Sequence, residues 1–264
     1  MSVPEEYPSP NYDYLVARTK AWPSGQQLLD FGCSSGTLVR RARSAGVEAV
    51  GADAYEQHSP GLDNTGDAAP YLHRIENDRL PFPDQSFDVV TSNMVFEHVQ
   101  PDRLPTVLSQ IRRVLRPGGV LFAAFPVRET WFEGHLHLYF PHTLDRWPRL
   151  QRAYLHSARA IGLGRDATVA NRTEWVDRCL EDLDSVIFLH RRDTVRALLQ
   201  RHGFSVECAA TDYMRYRLGP RRAALMAKIP GADRLLRFVC AKRAGEVLVC
   251  RAVNGGGEPA SGSP

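Results

Sequence analysis

The first half of the chain alternates short apolar runs with segments whose apolar residues recur every three or four positions. The runs are rich in β-branched residues and end at turn residues, which predicts buried strands; the spaced segments predict amphipathic helices. The predicted strands are 27–31, 47–52, 87–91 and 120–125, and the predicted helices are 37–45 and 104–115, the second one stopped by Pro117-Gly118-Gly119. This order predicts a doubly wound α/β fold with a mostly parallel sheet and helices on both faces.

The pattern changes after Pro126, where an aromatic, His-rich and Arg-rich stretch begins. Helical patterns over 148–160 and 193–202 follow it, and we interpret this region as a helical insertion that covers the substrate. Two later runs, 204–209 and 246–252, have strand character and predict an antiparallel hairpin at one edge of the sheet.

Composition fits a single globular domain. The 264 residues are 43% hydrophobic and 24% charged, which excludes disordered and collagen-like classes. We expect flexible ends at 1–10 and 254–264, which are rich in Pro or in Gly, Ser and Pro. The domain between them, 11–253, would comprise a core over about 11–126, the insertion over about 127–202, and C-terminal strands and basic helices over 203–253.

Charge, hydropathy and cysteine usage exclude further classes. The net charge of +3 is too small for long-range attraction to polyanions. No apolar run approaches the roughly 18 residues of a membrane helix, and the first ten residues lack a signal-peptide pattern. The five cysteines show no C-x-x-C spacing, so neither a disulfide framework nor a zinc knuckle is indicated. We expect a cytoplasmic protein.

A turn of small residues follows the first predicted strand. In this turn Gly32, Ser34 and Gly36 would let a ligand approach the backbone near a helix N-terminus. Asp53 comes 21 residues after Gly32, at the end of the next strand, where a carboxylate can accept hydrogen bonds from both ribose hydroxyls. Because Ser34 and Thr37 replace glycines of the dinucleotide fingerprint, the turn favours a nucleoside over a nicotinamide or flavin dinucleotide.

Four blocks of the chain resemble the class I S-adenosylmethionine-dependent methyltransferases, most closely those that modify small molecules. The blocks are LLDFGCSSG (28–36), LPFPDQSFDVV (80–90), SNMVFEHV (92–99) and IRRVLRPGGVLF (111–122). The resemblance covers about residues 11–126. It implies a Rossmann-like fold and S-adenosyl-L-methionine as the cofactor, with S-adenosyl-L-homocysteine as the product.

The resemblance also implies a cofactor site at the carboxyl ends of the strands. Asp53 would hold the ribose hydroxyls, and Glu76 would accept a hydrogen bond from the adenine amino group. A helix over 11–19 would close over the cofactor, with Tyr12 or Tyr14 at its methionine end. The remaining implied contacts are Asp30, Gly32, Cys33 through its backbone, Ser34, Gly36, Asn77, Asn93 and Met94.

Histidines are the candidates for a group that takes a proton from a hydroxyl acceptor. His98 follows the fourth strand and would be near the reactive methyl, although it can equally be a packing residue. The segment WFEGHLHLYFPH (131–142) predicts a polar pocket floor, with Glu133 and His142 contacting substrate. On an extended strand His135 and His137 would face one side, and either could be the base or a structural histidine. With Glu133 they could alternatively hold a divalent ion, as in some sugar-modifying relatives; the assignment we favour includes no metal.

The segment 215–243 carries nine basic residues and a single acidic one, Asp233. Interspersed apolar residues predict amphipathic helices whose basic face is solvated, or else contacts anionic lipid, RNA or a phosphorylated acceptor. Oligomeric state is left open.

We therefore expect O-methylation of a small molecule such as a saccharide or secondary metabolite. Two alternatives remain: N- or C-methylation, including an RNA target, and a cofactor-binding scaffold without turnover. Nucleic acid is the less favoured partner. The residues SNMV lack the Asn-Pro-Pro-aromatic run with which base-amino methylases grip a flipped base, which disfavours DNA adenine methylation.

Overall fold

The computed structural model describes residues 10–20, 27–54, 66–165, 169 and 171–253. Nine strands occur in these ranges. They are β1 (Gln27–Phe31), β2 (Glu48–Asp53), β3 (Leu72–Arg74), β4 (Phe87–Asn93), β5 (Leu115–Phe125), β6 (Phe132–Glu133), β7 (Leu138–Tyr139), β8 (Phe204–Cys208) and β9 (Glu246–Ala252).

Seven of these strands form one sheet in the order β3-β2-β1-β4-β5-β9-β8. The first five are parallel, and β9 runs antiparallel to both β5 and β8. The predicted fold class and the antiparallel edge are therefore confirmed. The strand order reverses between β1 and β4, and this is the place where open α/β sheets bind ligands at the carboxyl ends of their strands.

Eight α-helices surround the sheet in the part of the chain that the structure describes. They are α1 (Pro10–Lys20), α2 (Thr37–Ser44), α3 (Leu104–Val114), α4 (Pro148–Ala160), α5 (Arg172–Glu181), α6 (Arg192–Arg201), α7 (Ala210–Met226) and α8 (Ala232–Arg243). Apolar residues of α3 and α6 pack on one face of the sheet, and those of α1, α2, α7 and α8 pack on the other. The helices α4 and α5 share a smaller core with the β6–β7 hairpin.

The amphipathic pattern of α3 produces the expected burial. Leu104, Leu108 and Ile111 recur at helical spacing and are each at most 1% exposed. The boundary that follows differs from the prediction: the helix ends at Val114, and Pro117-Gly118-Gly119 lies inside β5 instead of before it. Pairing with β4 is irregular there, because the register shifts between Phe87 and Val89.

Three further observations bear on the sequence-based expectations. The proposed flexible ends lie outside the described residues, except for Pro10, which begins α1. Among the described helices, none is both long enough and apolar enough to cross a bilayer. The five cysteines all fall within the described ranges, and none of them is in a disulfide.

Candidate active site

The turn between β1 and α2 folds back on itself at the carboxyl end of the sheet. Gly32 and Gly36 both have φ of 76°, and Ser34 has φ of 47°. A Cβ on Gly32 would lie 2.3 Å from Cγ2 of Val95, so this position requires glycine for space as well as for conformation. The turn is held by the Gly32 amide, which donates to the Ala52 carbonyl at 2.8 Å.

Asp53 joins this turn to the end of β2. Its Oδ2 accepts a hydrogen bond of 2.8 Å from the backbone N–H of Ser34. A carboxylate offers about four lone-pair sites, so one that accepts this bond can still accept bonds from two hydroxyls. The turn and the carboxylate are thereby fixed relative to each other on neighbouring strands.

A second carboxylate, Asp30, lies buried within the sheet beside the turn. Burial raises the pKa of Asp30 to about 7, the hydrogen bond from Thr91 opposes this rise, and the negative charge of Asp53 adds to it. The Thr91 hydroxyl donates to Oδ1 of Asp30 at 3.0 Å. Tyr12 of α1 lies near Asp30 and is hydrogen-bonded to Asn93, and burial raises the pKa of this tyrosine to about 12.

A cavity of about 810 Å³ opens from the turn. This volume is in the range of small-molecule sites. Residues of the sheet edge and of the insertion line it together: Phe31, Gly32, Ser34, Asp53, Ala54, Ile75, Asp78, Met94, Val95, His98, Val99, Gln100, Arg103, Val107, Gln110, Ser185, Val186 and Phe188. The insertion is fixed over the opening because the Phe188 amide donates to the Glu97 carbonyl at 2.6 Å.

A group of imidazoles and carboxylates adjoins the cavity and reaches its wall through His98. Nε2 of His98 is 3.2 Å from Nε2 of His135, and the two rings meet edge to face. Nδ1 of His98 lies 3.0 Å from the Val186 carbonyl, and Nδ1 of His135 lies 2.6 Å from Oε1 of Glu133. Burial alone would lower the pKa of His135, but the Glu133 carboxylate outweighs it, and the pKa is raised.

Two buried glutamates flank the imidazoles. Glu133 accepts bonds from His135 and from the Leu136 amide; burial opposes these contacts, yet the pKa of Glu133 lies below its ordinary value. Glu97 has no exposed surface, and neither of its carboxylate oxygens has a hydrogen-bond partner among the described residues. Burial raises the pKa of Glu97 to about 8.

Comparison with known proteins agrees with this geometry. Residues 29–123 match the sequence profile of the methyltransferase domain family. An uncharacterized methyltransferase of Mycobacterium tuberculosis is 35% identical over 126 residues, which are 47% of this chain and 48% of that protein. The chain spans about half the length of the curated relatives it matches. A solved S-adenosylmethionine-dependent methyltransferase from Mesorhizobium loti superposes with a TM-score of 0.53 at 18% identity, covering 94% of this chain and 100% of that one.

Residues 29–123 thus match a methyltransferase domain. The resemblance noted in the sequence is supported over these residues, and the fold is confirmed. Another solved structure, the [4+2]-cyclase SpnF, superposes on this domain with a TM-score of 0.50 at 18% identity, covering 93% of this chain and 82% of that one. The same fold thus occurs in a protein named for a cyclase activity, so the acceptor must be argued from the site.

Five of the predicted site residues of the methyltransferase domain line the cavity: Gly32, Ser34, Asp53, Met94 and His98. Four others support the site from nearby: Asp30 and Cys33 are buried at the turn, Gly36 closes it against Ala68, and Asn93 bonds to α1. No observation here tests whether these residues bind a cofactor, so their roles stay predictions.

The predicted adenine contacts are placed differently from the expectation. Glu76 and Asn77 are exposed and do not line the cavity, whereas Asp78, two positions later, lies in its wall and pairs with Arg103. Sequence reasoning missed this pair because Asp78 has φ of 57°, and the resulting turn of the chain is not visible as a pattern. Of the two tyrosines, only Tyr12 reaches the Asp30–Asn93 region; Tyr14 is buried against α7, where its hydroxyl donates to Asp212 at 2.8 Å.

The prediction that His135 and His137 share an extended strand is wrong. Both residues lie in the turn between β6 and β7, and His137 has φ of 55°. The turn sends His135 toward His98, while His137 is exposed and stacks on Phe132 at a centroid distance of 6.2 Å. His142 is buried in the short helix 141–144, outside the cavity lining, and burial lowers its pKa.

The most important residue that sequence reasoning missed is Glu97. It directly precedes His98, but nothing in the sequence shows that His98 and His135, 37 positions apart, converge on one place. The contribution of Val186 and Phe188 is likewise a product of the tertiary fold.

Proposed function

We propose that this chain transfers a methyl group from S-adenosyl-L-methionine to a hydroxyl oxygen of a small molecule. The observation that carries the proposal is the shared cavity: the turn and carboxylate suited to a nucleoside open into the same space as His98, whose ring contacts that of His135. The family profile and the fold shared with a methyltransferase support the first half of the proposal. The imidazole pair supports the second half, the choice of oxygen as the acceptor atom.

The residues of the turn fit the proposed cofactor. Gly32 lets the turn lie close against Val95, and Asp53 is held by Ser34 at the strand end, where a carboxylate can accept hydrogen bonds from ribose hydroxyls. Asp78 and Ile75 lie in the same wall and would flank the base. When bound, the cofactor supplies an electrophilic methyl group on a sulfonium, whose departure leaves a neutral thioether.

The protein's own contributions are alignment, exclusion of water and removal of a proton. Val186 and Phe188 cover the cavity from the insertion, and Met94 and Val95 add apolar wall. The Val186 carbonyl can only accept, so Nδ1 of neutral His98 carries the hydrogen and Nε2 carries the lone pair. A base placed there is worth about 10² to 10⁴ in rate for a hydroxyl acceptor.

Calorimetric titration with S-adenosyl-L-homocysteine tests the cofactor site. Asp53→Ala should weaken binding by about 10- to 100-fold, because it removes charge-assisted hydrogen bonds worth about 1.5–3 kcal/mol. Glu48→Ala is the matched control: Glu48 lies at the opposite end of the same strand, is exposed, and should leave affinity unchanged. Equal losses in both variants, or no binding by the wild type, would contradict the proposal.

The acceptor is tested with labelled cofactor and pooled small molecules bearing either hydroxyls or amines. The proposal expects label in hydroxyl compounds. Label confined to amines, carbon atoms or RNA would support the alternatives. Binding of S-adenosyl-L-homocysteine without transfer of a methyl group to any compound would indicate a scaffold.

A further inference from the structure

The imidazole of His98, which lines the cavity, and the imidazole of His135 face each other through the same ring nitrogen. Nε2 of His98 and Nε2 of His135 are 3.2 Å apart. The opposite nitrogen of each ring lies against an acceptor, the Val186 carbonyl for His98 and the Glu133 carboxylate for His135. Since those acceptors have no hydrogen to give, each neutral ring carries its hydrogen on Nδ1. When both rings are neutral, two lone pairs point at one another, and a cation between them, either a shared proton or a metal ion, offsets their repulsion.

The spacing matches that of two nitrogens bound to one metal ion. At a metal–nitrogen distance of about 2.0–2.1 Å, two ligands about 3.2 Å apart subtend an angle of about 100°, close to the tetrahedral value. The partners of the Nδ1 atoms also fit, because metal-binding histidines ordinarily donate their second ring N–H to a carboxylate or a backbone carbonyl.

Glu97 supplies a third, independent observation. It is fully buried, and both of its carboxylate oxygens lack a partner in the described part of the chain. One of its oxygens and a nitrogen from each of His98 and His135 all lie within 4.8 Å of one another. A buried carboxylate without a hydrogen bond is costly, and an ion at this point would remove that cost.

We propose that Glu97, His98 and His135 form a binding site for a divalent transition-metal ion. Two imidazoles and a carboxylate suit Zn²⁺, Co²⁺, Fe²⁺ or Mn²⁺ better than Mg²⁺. Glu133 and the Val186 carbonyl orient the two histidines without touching the ion. Because His98 lines the cavity, a remaining coordination position faces the acceptor space. This role rests on the proposed function and replaces the base role of His98: Nε2 of His98 would hold the ion, and the ion would bind the acceptor oxygen and lower the pKa of its hydroxyl, which would lose its proton to solvent.

The metal alone is the probe for the site. Protein stripped with a chelator is titrated calorimetrically with Zn²⁺, and Co²⁺ binding is followed by its visible absorption. The wild type should bind one equivalent, and Glu97→Gln and His98→Asn should each weaken binding at least tenfold. Glu133→Gln should weaken it by about 10- to 100-fold, as is usual for a residue that orients a ligand.

His137→Asn is the matched control, because His137 lies in the same hairpin turn but points away from the cluster. It should retain wild-type affinity for Zn²⁺. Circular dichroism of each variant separates loss of the site from loss of folding. If the folded Glu97 and His98 variants bind Zn²⁺ as the wild type does, or if the wild type binds none, the two imidazoles share only a proton and the metal site is refuted.

Methyl transfer is measured separately, so the two proposals can fail independently. Zn²⁺ binding that depends on Glu97 and His98, with no methyl transfer under any condition, would retain the metal site and overturn the proposed function. If chelator-treated protein transfers methyl groups at the full rate and the wild type does not bind Zn²⁺, the proposed function stands and the metal site is refuted.

Discussion

At the scale of single residues, the turn between β1 and α2 depends on glycine at position 32. Gly32→Ala would place a methyl group 2.3 Å from Val95 at a φ of +76°, so clash and backbone strain add together. We expect a loss of about 2–4 kcal/mol in the free energy of unfolding, measured by urea denaturation. The control is Gly46→Ala, where φ is +80° but nothing lies within 4 Å, and strain alone should cost about 1–2 kcal/mol. Equal losses of stability in the two variants would show that the Val95 side chain moves aside for the added methyl group.

Asp30 makes the stability of the protein depend on pH. Its pKa is about 7 in the folded state against 3.8 for an ordinary aspartate, so the unfolded chain loses this proton first as the pH rises. The free energy of unfolding therefore falls between about pH 4 and pH 7 and shows no further change from this group above that range. Asp30→Asn keeps an acceptor for the Thr91 hydroxyl and removes the titration.

Urea denaturation of both proteins at pH 5 and pH 8 measures the effect. Relative to Asp30→Asn, the wild type should lose about 2–3 kcal/mol over that interval, corresponding to about two pH units of differential protonation. Other groups titrate in both proteins, so their contributions cancel in the comparison. An equal change in the free energy of unfolding of the two proteins between pH 5 and pH 8 would show that Asp30 is ionised in the folded state at pH 5.

At the scale of elements, the helix α1 is held between α7 and the end of β4. Asp212 of α7 accepts from Tyr14 and pairs with Arg18. At the other side, Nδ2 of Asn11 donates to Asn93 of β4 at 3.3 Å, and its Oδ1 accepts from Tyr213. The basic C-terminal segment is therefore partly structural, since α7 positions the helix that lies beside the candidate site.

The strand β9 is tied to α6 by a buried carboxylate. Glu246 is 4% exposed and lies 2.6 Å from guanidinium nitrogens of both Arg192 and Arg196. Glu246→Gln would leave two cations without their counter-charge, and we expect a loss of about 2–4 kcal/mol in the free energy of unfolding. Glu174→Gln removes half of the exposed pair with Arg178 and should cost under about 0.5 kcal/mol. Thermal or urea denaturation compares the two variants, and similar small losses would show that water replaces the Glu246 contacts.

For the molecule as a whole, the sequence predicts the sheet better than the site. Strands such as β1 and helices such as α4 follow from local periodicity, and the predicted bounds of these two elements agree with the structure. The antiparallel edge was also predictable, because the runs 204–209 and 246–252 both have strand character and follow the parallel core in the sequence. Elements with weak patterns were missed: β3 has only three residues, and α5 lies in the insertion.

The site was predictable where it depends on neighbouring strands. Gly32, Ser34 and Asp53 converge because parallel strands bring their carboxyl ends to one edge, which the strand order already implies. Glu97 and His135 could not be paired from the sequence, because their approach depends on how a hairpin turn and a distant insertion pack on the core. Tight turns with positive φ at Asp78 and His137 changed the direction of side chains that an extended chain would have placed elsewhere.

The position of β9 has a consequence for how the chain reaches its native state during synthesis. This strand lies between β5 and β8, and its contacts with β5 join residues about 120 positions apart in the chain. The sheet can therefore close only after residue 252 has emerged from the ribosome, long after the parallel strands are available. Until then β5 exposes an unpaired edge, the kind of surface that favours aggregation while the chain is being made.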